Sequence, residues 1–263
     1  MPSDRAAAFF DLDKTLLEGS SAFYFARAAF ESGMLSRRQL ARDLVANLAF
    51  RLRGSTDEQT EAVKRRVLDA IAGQRQRDLM RLGPRVLSSV LPRLYPQMLE
   101  EAWSHQEAGR KVYIVTAAAQ ELADALAHVL GFDGAVGMRA EVEGGVYTGR
   151  LAGPFTYREG KAEAIRELAV REGFDLERSF AYSDSESDLP MLRAVGNPVA
   201  VNPDKELERI ARAEGWRIMR FDRLALKLRL GAALATAAAG GACAALVVRR
   251  ARPRRRWRVL ARV

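Results

Sequence analysis

An α/β fold, with a parallel sheet covered by helices on both faces, is predicted by three features of the chain. Short apolar runs alternate with helical patterns through its second half. The first such run, AAAFF at 6–10, ends abruptly in two acids, Asp11 and Asp13, with Thr15 two places on. At 263 residues, 48% apolar and 29% charged, the chain can bury one large core or two modest ones.

The run at 6–10 reads as a strand buried on both faces. Acids at the carboxyl end of such a strand stand where open α/β sheets bind ligands. Residues two apart point the same way in an extended segment, so both acids are expected to face one site. Carboxylates so placed repel unless a cation or a shared proton neutralises them. The simplest chemistry is a magnesium-dependent site with one acid as nucleophile and the other as proton donor. The plain alternative is a strand end running into a helix capped by Asp or Thr.

From Leu16 to about Leu91 no strand pattern appears. Helical spacing does, at Phe23, Ala26 and Phe30 and again at Leu40, Leu44 and Leu48. This predicts a helical cap inserted after the first strand. Beyond it, helices are expected at 96–109, 120–130, 161–172, 188–195 and 205–214, and strands at 111–116, 179–183, 197–201 and, weakly, 217–220. The segment 138–151 alternates around Gly144-Gly145, a two-residue hairpin signal. The expected domains are a core of 1–16 and 92–222, a cap of 17–91, and a C-terminal piece of 223–263.

A single cysteine, Cys243, excludes an internal disulfide, and two histidines, His105 and His128, make a His/Cys zinc site a poor fit. A metal here would be a hard, oxygen-bound cation. The net charge of +9 is a property of the tail: residues 249–263 hold eight Arg and no acid, which leaves about +1 for the rest. Specific nucleic-acid binding by the body is therefore not expected. The N-terminus lacks the pattern of a signal peptide, so a cytoplasmic catalytic body is expected. Residues 230–248 are nineteen without a charge, about 28 Å as a helix. They contain nine Ala and three Gly and carry basic flanks, which suits a membrane span or a surface-lying helix on anionic lipid.

Three more features complete a chemical set. Thr116 ends a strand, so its hydroxyl and the N–H groups of Ala117 and Ala118 are placed to hold a phosphate oxygen. Lys161 follows Gly160 and opens a helix, offering a positive charge to a phosphate or to the nucleophile. Asp184 and Asp188 follow the strand at 179–183; Asp184 is the expected metal ligand and Asp188 the residue that ties the cluster together from behind.

In order, DLDKT, VTA, Lys161 and SDSESD resemble the four motifs of the haloacid dehalogenase (HAD) superfamily, over about 6–220. The helical insertion and the hairpin are similar to its phosphoserine phosphatase-like IB hydrolase branch. The resemblance implies a Rossmann-like core and a Mg²⁺-dependent phosphomonoester hydrolase. Asp11 would form an aspartyl-phosphate, and Asp13 would protonate the leaving oxygen and then activate water. Mg²⁺ would be held by Asp11, Asp184 and the backbone carbonyl of Asp13, and the phosphoryl oxygens by Thr116, Ala117 and Lys161. Two departures are visible: Lys14 where many relatives have Gly, and Ser183 before Asp184. Ser20 stands where phosphoserine phosphatases carry the carboxylate that binds the substrate amine, with Glu18 two places earlier, and Ser187 stands where they tend to carry Asn. Both weigh against phosphoserine. Arg51 and Arg53 in the cap are candidates to meet an anionic substrate. A small-molecule phosphate and, given the tail, a lipid phosphate are the expected substrates. A phosphotransferase using the same intermediate and a non-catalytic membrane-associated regulator are the alternatives.

Overall fold

A computed structural model of the chain describes residues 5–33, 64–65 and 68–221. The core is a six-stranded sheet in the order β3-β2-β1-β6-β7-β8. Its strands are β1 (Ala7–Phe10), β2 (Lys111–Ala119), β3 (Gly134–Met138), β6 (Phe180–Ser183), β7 (Asn197–Val201) and β8 (Arg217–Met219), every neighbouring pair parallel. The chain runs outward from β1 to β3, then returns to the other side of β1 at β6. The carboxyl ends of β1 and β6 therefore open on a topological switch point, where such sheets hold their ligands.

The burial of β1 explains its sequence. All four of its residues are buried. Phe9 packs on one face in a core that includes Ile165, Leu168, Ala181, Met191 and Leu207. Phe10 faces the other side and stacks on Tyr182 with ring centroids 4.3 Å apart. Each ring contributes roughly 2–3 kcal/mol by burial alone.

The helices are α1 (Ser21–Glu31), α2 (Gln76–Met80), α3 (Gly83–Val90), α4 (Pro96–Glu107), α5 (Gln120–Leu130), α6 (Glu159–Glu172), α7 (Leu189–Leu192) and α8 (Lys205–Ala213). Between β1 and β2 the described elements are all helical, which is the inserted cap followed by the crossover helix α4. Helix α1 packs against α3. It turns Ser21, Tyr24, Ala28 and Ala29 inward, whereas Phe23 is exposed, so the expected Phe23/Ala26/Phe30 face is not the packed one. Leu40, Leu44, Leu48, Arg51, Arg53 and the segments 230–248 and 249–263 lie outside the described residues. Among the described residues no helix is long and apolar enough to cross a membrane.

The hairpin is present as β4 (Ala140–Glu143) and β5 (Val146–Leu151), joined by Gly144 and Gly145 at φ 57° and 79°. Two consecutive positive φ values are what a tight hairpin turn of this hand requires. The hairpin docks on the cap's stem: the Gly73 N–H donates to the Tyr147 carbonyl and the Tyr147 N–H to the Gln74 carbonyl, both at 2.9 Å.

Strand β3 was not expected from the sequence, and Met138 belongs to it rather than to the hairpin. Two of its five residues are glycine, so little alternation is left to read. Gly137 is required there, because a Cβ would stand 2.9 Å from the Ala118 carbonyl oxygen. The side-chain amide of Gln120 binds this edge, donating to the Ala135 carbonyl (3.0 Å) and accepting from the Gly137 N–H (2.7 Å). The helix expected at 188–195 is shorter, a 3₁₀ turn at Glu186–Asp188 and then one turn of α7.

Candidate active site

Asp11 is the first residue beyond β1, and its N–H donates to the Tyr182 carbonyl on β6 (3.0 Å). The two acids are not on an extended segment as expected. The chain turns after Phe10, the Leu16 and Leu17 N–H groups bond back to the Asp11 and Leu12 carbonyls, and Lys14 adopts φ 62°. This turn gives the acids different surroundings. Asp11 is buried, while Asp13 is half-buried and held by the start of the cap. The Ser20 hydroxyl donates to Asp13 Oδ2 (2.9 Å) and the Ser21 N–H to Asp13 Oδ1 (2.8 Å). The Thr15 hydroxyl, buried in the same turn, has no hydrogen-bond partner.

Lys161 comes from the first turn of α6 and is buried. Its Nζ lies 2.5 Å from Asp11 Oδ1 and 2.7 Å from Asp188 Oδ2. Gly160 makes this approach possible: a Cβ there would fall 1.9 Å from the Phe155 carbonyl oxygen. Lys161 therefore meets the Asp11 carboxylate directly. Asp188 also accepts from the Ser183 hydroxyl (2.6 Å). The serine in place of a glycine is therefore a working part of the cluster. Lys14 reaches across the mouth, its Nζ 3.3 Å from Asp184 Oδ2.

Asp204 was missed by sequence reasoning. Its N–H donates to the Asp184 carbonyl (2.9 Å), and its carboxylate accepts from the Glu186 N–H (2.9 Å) and caps α8 through the Leu207 N–H (2.8 Å). It fixes the loop that carries Asp184 and Asp188. The signal was available in Asp204-Lys-Glu-Leu207, an acid at the start of a helical pattern. On the second motif, Thr116 is buried, but the Ala118 N–H expected to face a phosphate donates instead to Thr116 Oγ1 (3.1 Å). A cavity of about 790 Å³ lined by Lys111, Asp133, Arg139 and Arg171 includes none of the motif residues.

The charges do not balance locally. Burial, opposed by Lys161 and reinforced by Asp188 and Asp184, pushes the Asp11 carboxyl up to about 8. Burial also raises Asp184, to about 6, against the pull of Lys14. Burial works against the Lys161 ammonium, but Asp11 and Asp188 outweigh it and hold it charged. Three buried acids thus share one buried ammonium, with a second ammonium at the rim. Such a site favours an added cation. Among the described residues no group of three His, Cys, Asp or Glu side chains is gathered to hold a metal. Two carboxylates and a backbone carbonyl, all hard oxygen donors, nevertheless suit Mg²⁺, which keeps several waters of its own.

Fold and site together define a Rossmann-like α/β protein with an acid-rich centre at a sheet switch point, an arrangement suited to a cation and a phosphate ester. Residues 8–193 match the model of the haloacid dehalogenase-like hydrolases, and the chain belongs to that family. It is 41% identical over 249 residues to a phosphoserine phosphatase of Mycobacterium tuberculosis (strain ATCC 25618 / H37Rv), covering 93% of this chain and 81% of that protein. It is 27% identical over 219 residues to a histidinol-phosphatase of Neisseria meningitidis, covering 81% and 98% respectively. A solved structure of a protein of unknown function from Bordetella pertussis Tohama I superposes with a TM-score of 0.73 at 29% identity, covering 82% of this chain and 98% of that one. The chain is an enzyme of the phosphatase kind, and its family works through an aspartyl-phosphate.

Proposed function

We propose that the chain is a Mg²⁺-dependent phosphomonoester hydrolase for a small phosphorylated metabolite, with Asp11 as nucleophile and Asp13 as general acid and base. The observation that carries this reading is the buried contact of Lys161 with both Asp11 and Asp188, which draws residues 150 and 27 positions apart onto one point. A lysine so placed would orient Asp11 and offset part of the cost that burial puts on its ionisation. Asp11, Asp184 and the Asp13 backbone carbonyl would hold Mg²⁺, which offsets the charge of a phosphate beside carboxylates. Thr116 and the Ala117 N–H are the groups offered to the phosphoryl oxygens. Asp13, at the cap side of the turn, would transfer the proton at the ester oxygen.

The names of two relatives, a phosphoserine phosphatase and a histidinol-phosphatase, support an alkyl phosphate of a small metabolite. The lipid alternative rests on the uncharged segment 230–248 and the Arg tail. Deleting 230–263 tests it: a selective loss of turnover on lipid phosphates would favour it. Product analysis with an added alcohol separates hydrolysis from phosphoryl transfer. The central test is a phosphomonoester screen with Mg²⁺, run beside Asp11→Asn. The variant is expected to lose at least about 10³-fold in kcat/KM. Turnover retained in Asp11→Asn would overturn the mechanism.

A further inference from the structure

The hairpin of β4 and β5 lies in the chain between β3 and the helix that carries Lys161, yet its second strand is fastened to the cap. Residues 73–76, on the cap's returning stem, run antiparallel beside β5. The Gly73 N–H donates to the Tyr147 carbonyl (2.9 Å), the Tyr147 N–H to the Gln74 carbonyl (2.9 Å) and the Gln76 N–H to the Gly145 carbonyl (3.0 Å), and Arg75 is bridged to Val146. Gly149 lets the two pieces close up: a Cβ there would stand 3.0 Å from the Ala72 Cβ, and its φ of 81° is one that glycine adopts freely.

Two side chains of this junction converge on one atom of a third element. The Tyr147 hydroxyl (2.7 Å) and the Gln76 side-chain amide (3.1 Å) both donate to Oε1 of Glu121, in the first turn of α5. Tyr147 is buried, and burial together with the bond to Glu121 raises its hydroxyl well above the ordinary value, which keeps it a donor. Glu121 is half-buried and both its donors are neutral, but the amino end of a helix favours an acid. Its neighbour Gln120 ties the same turn to the other side, through the Ala135 carbonyl and the Gly137 N–H. This turn follows directly on the end of β2, where Thr116 and Ala117 lie.

We propose that Glu121 is a positioning residue that clamps the cap's returning stem, through Gln76 and Tyr147, to the turn that presents Thr116 and the Ala117 N–H to a phosphate. The hairpin is then a brace, and the seating of the cap sets the phosphate-binding turn. The inference rests on the reading of Thr116 and Ala117 as phosphate-binding groups made above. A carboxylate suits the task because one of its oxygens accepts from two donors at once. With the clamp released, the stem and α5 shift independently. The loss falls on phosphate binding, because Asp11 is held separately by Lys161. Free phosphate and an ester should then weaken together, with the chemical step unchanged.

The test reads KM and kcat for p-nitrophenyl phosphate and the inhibition constant of inorganic phosphate, all with Mg²⁺, in wild type, Glu121→Ala, Glu121→Gln, Tyr147→Phe and Gln76→Ala. Glu121→Gln keeps an oxygen that accepts both bonds. Expected is a parallel rise of about 3–10-fold in KM and inhibition constant for Glu121→Ala, and of about two- to fourfold for each single donor. In all variants kcat should stay within about twofold, and Glu121→Gln should behave as wild type. Adding Tyr147→Phe to Glu121→Ala should cause no further loss, because the bond it removes is already gone. A melting temperature that falls while KM and the inhibition constant hold would show a purely structural network and overturn the proposal, as would Glu121→Gln behaving like Glu121→Ala. If Glu121→Ala does not fold, Tyr147→Phe and Gln76→Ala decide by the same criteria. Thr116→Ala separates the underlying reading. Phosphate inhibition weakened in the clamp variants but untouched in Thr116→Ala would overturn the phosphate assignment and the proposal with it, whereas the reverse would remove the clamp alone.

Discussion

Two polar networks lie on opposite faces of strands β1 and β6, and they are built differently. On one face Arg110 Nε donates to His105 Nδ1 (2.7 Å), His105 Nε2 meets the Tyr182 hydroxyl (2.7 Å), and that hydroxyl donates to Glu101 (3.0 Å), which is held by Arg217. Arg110 can only donate, so Nδ1 accepts and Nε2 carries the ring proton. Every donor in the chain meets an acceptor, and the carboxylate finishes against a guanidinium. On the other face Lys161 stands between Asp11 and Asp188, with Asp184 close enough to raise Asp11 further. That network has more acids than cations. A closed network stabilises a fold, and one with surplus carboxylates is suited to accept a cation.

Substitutions can break this contrast. Lys161→Met is expected to have the largest effect, lowering kcat/KM by about 10²–10³-fold, in line with the loss of one preorganised cationic donor. It also strands Asp11 and Asp188, and breaking a buried pair costs about 3–5 kcal/mol where the remaining charge cannot neutralise. Thermal melting and kinetics should therefore fall together. Tyr182→Phe tests the opposite face. It leaves His105 and Glu101 each short of a partner and should cost about 1–3 kcal/mol in chemical denaturation. Its kcat/KM should stay within about threefold of wild type. A Tyr182→Phe enzyme of normal stability and poor turnover would show that the two faces are not separable in this way.

The pH dependence of folding sharpens the same contrast. Burial, with the nearby Arg110 charge, holds His105 down to about 4 in the folded protein. An unfolded histidine titrates near 6.5, so between these values the unfolded chain binds the extra proton. Stability then rises with pH across that window and is lost as pH falls through it. The full window corresponds to about 3 kcal/mol at most. From pH 7 to pH 4 the denaturation midpoint of wild type should fall relative to that of His105→Gln, a difference that isolates His105 from Asp11 and Asp184, whose raised carboxyls contribute a slope of the opposite sign.

Much of the core was legible because its strands end in chemistry. The apolar run before Asp11 and the run before Asp184 announced their strands, and β7 fell at its expected bounds. The Gly-Gly hairpin was equally plain. Strand β3 was hidden because its place comes from Gln120 and from backbone approach at Gly137, neither of which leaves a hydrophobic pattern. The packed face of α1 was misread because Phe23, the largest apolar residue early in the helix, is exposed, while small Ala28 and Ala29 are buried. At the site, the residue types on the motifs could be read, but not what orients them. Ser20, Ser183 and Asp204 act through specific hydrogen bonds to residues far along or just across the turn, and no periodicity encodes such bonds.

The smallest effect concerns Lys14, which belongs to neither network fully. Its side chain is 55% exposed, and its ammonium contacts the carboxylate expected to hold the cation. An exposed ion pair is worth little, roughly 0–1 kcal/mol, because water and salt screen it. Its competition with a divalent ion for Asp184 is therefore modest. Lys14→Gln, which keeps the length of the chain and removes the charge, should tighten Mg²⁺ binding about two- to fivefold by isothermal titration calorimetry without substrate. The gain should shrink as salt is raised, since screening weakens repulsion between two cations first at the rim. If Lys14→Gln instead weakened Mg²⁺ binding, the lysine would be supporting the cation site rather than competing for it.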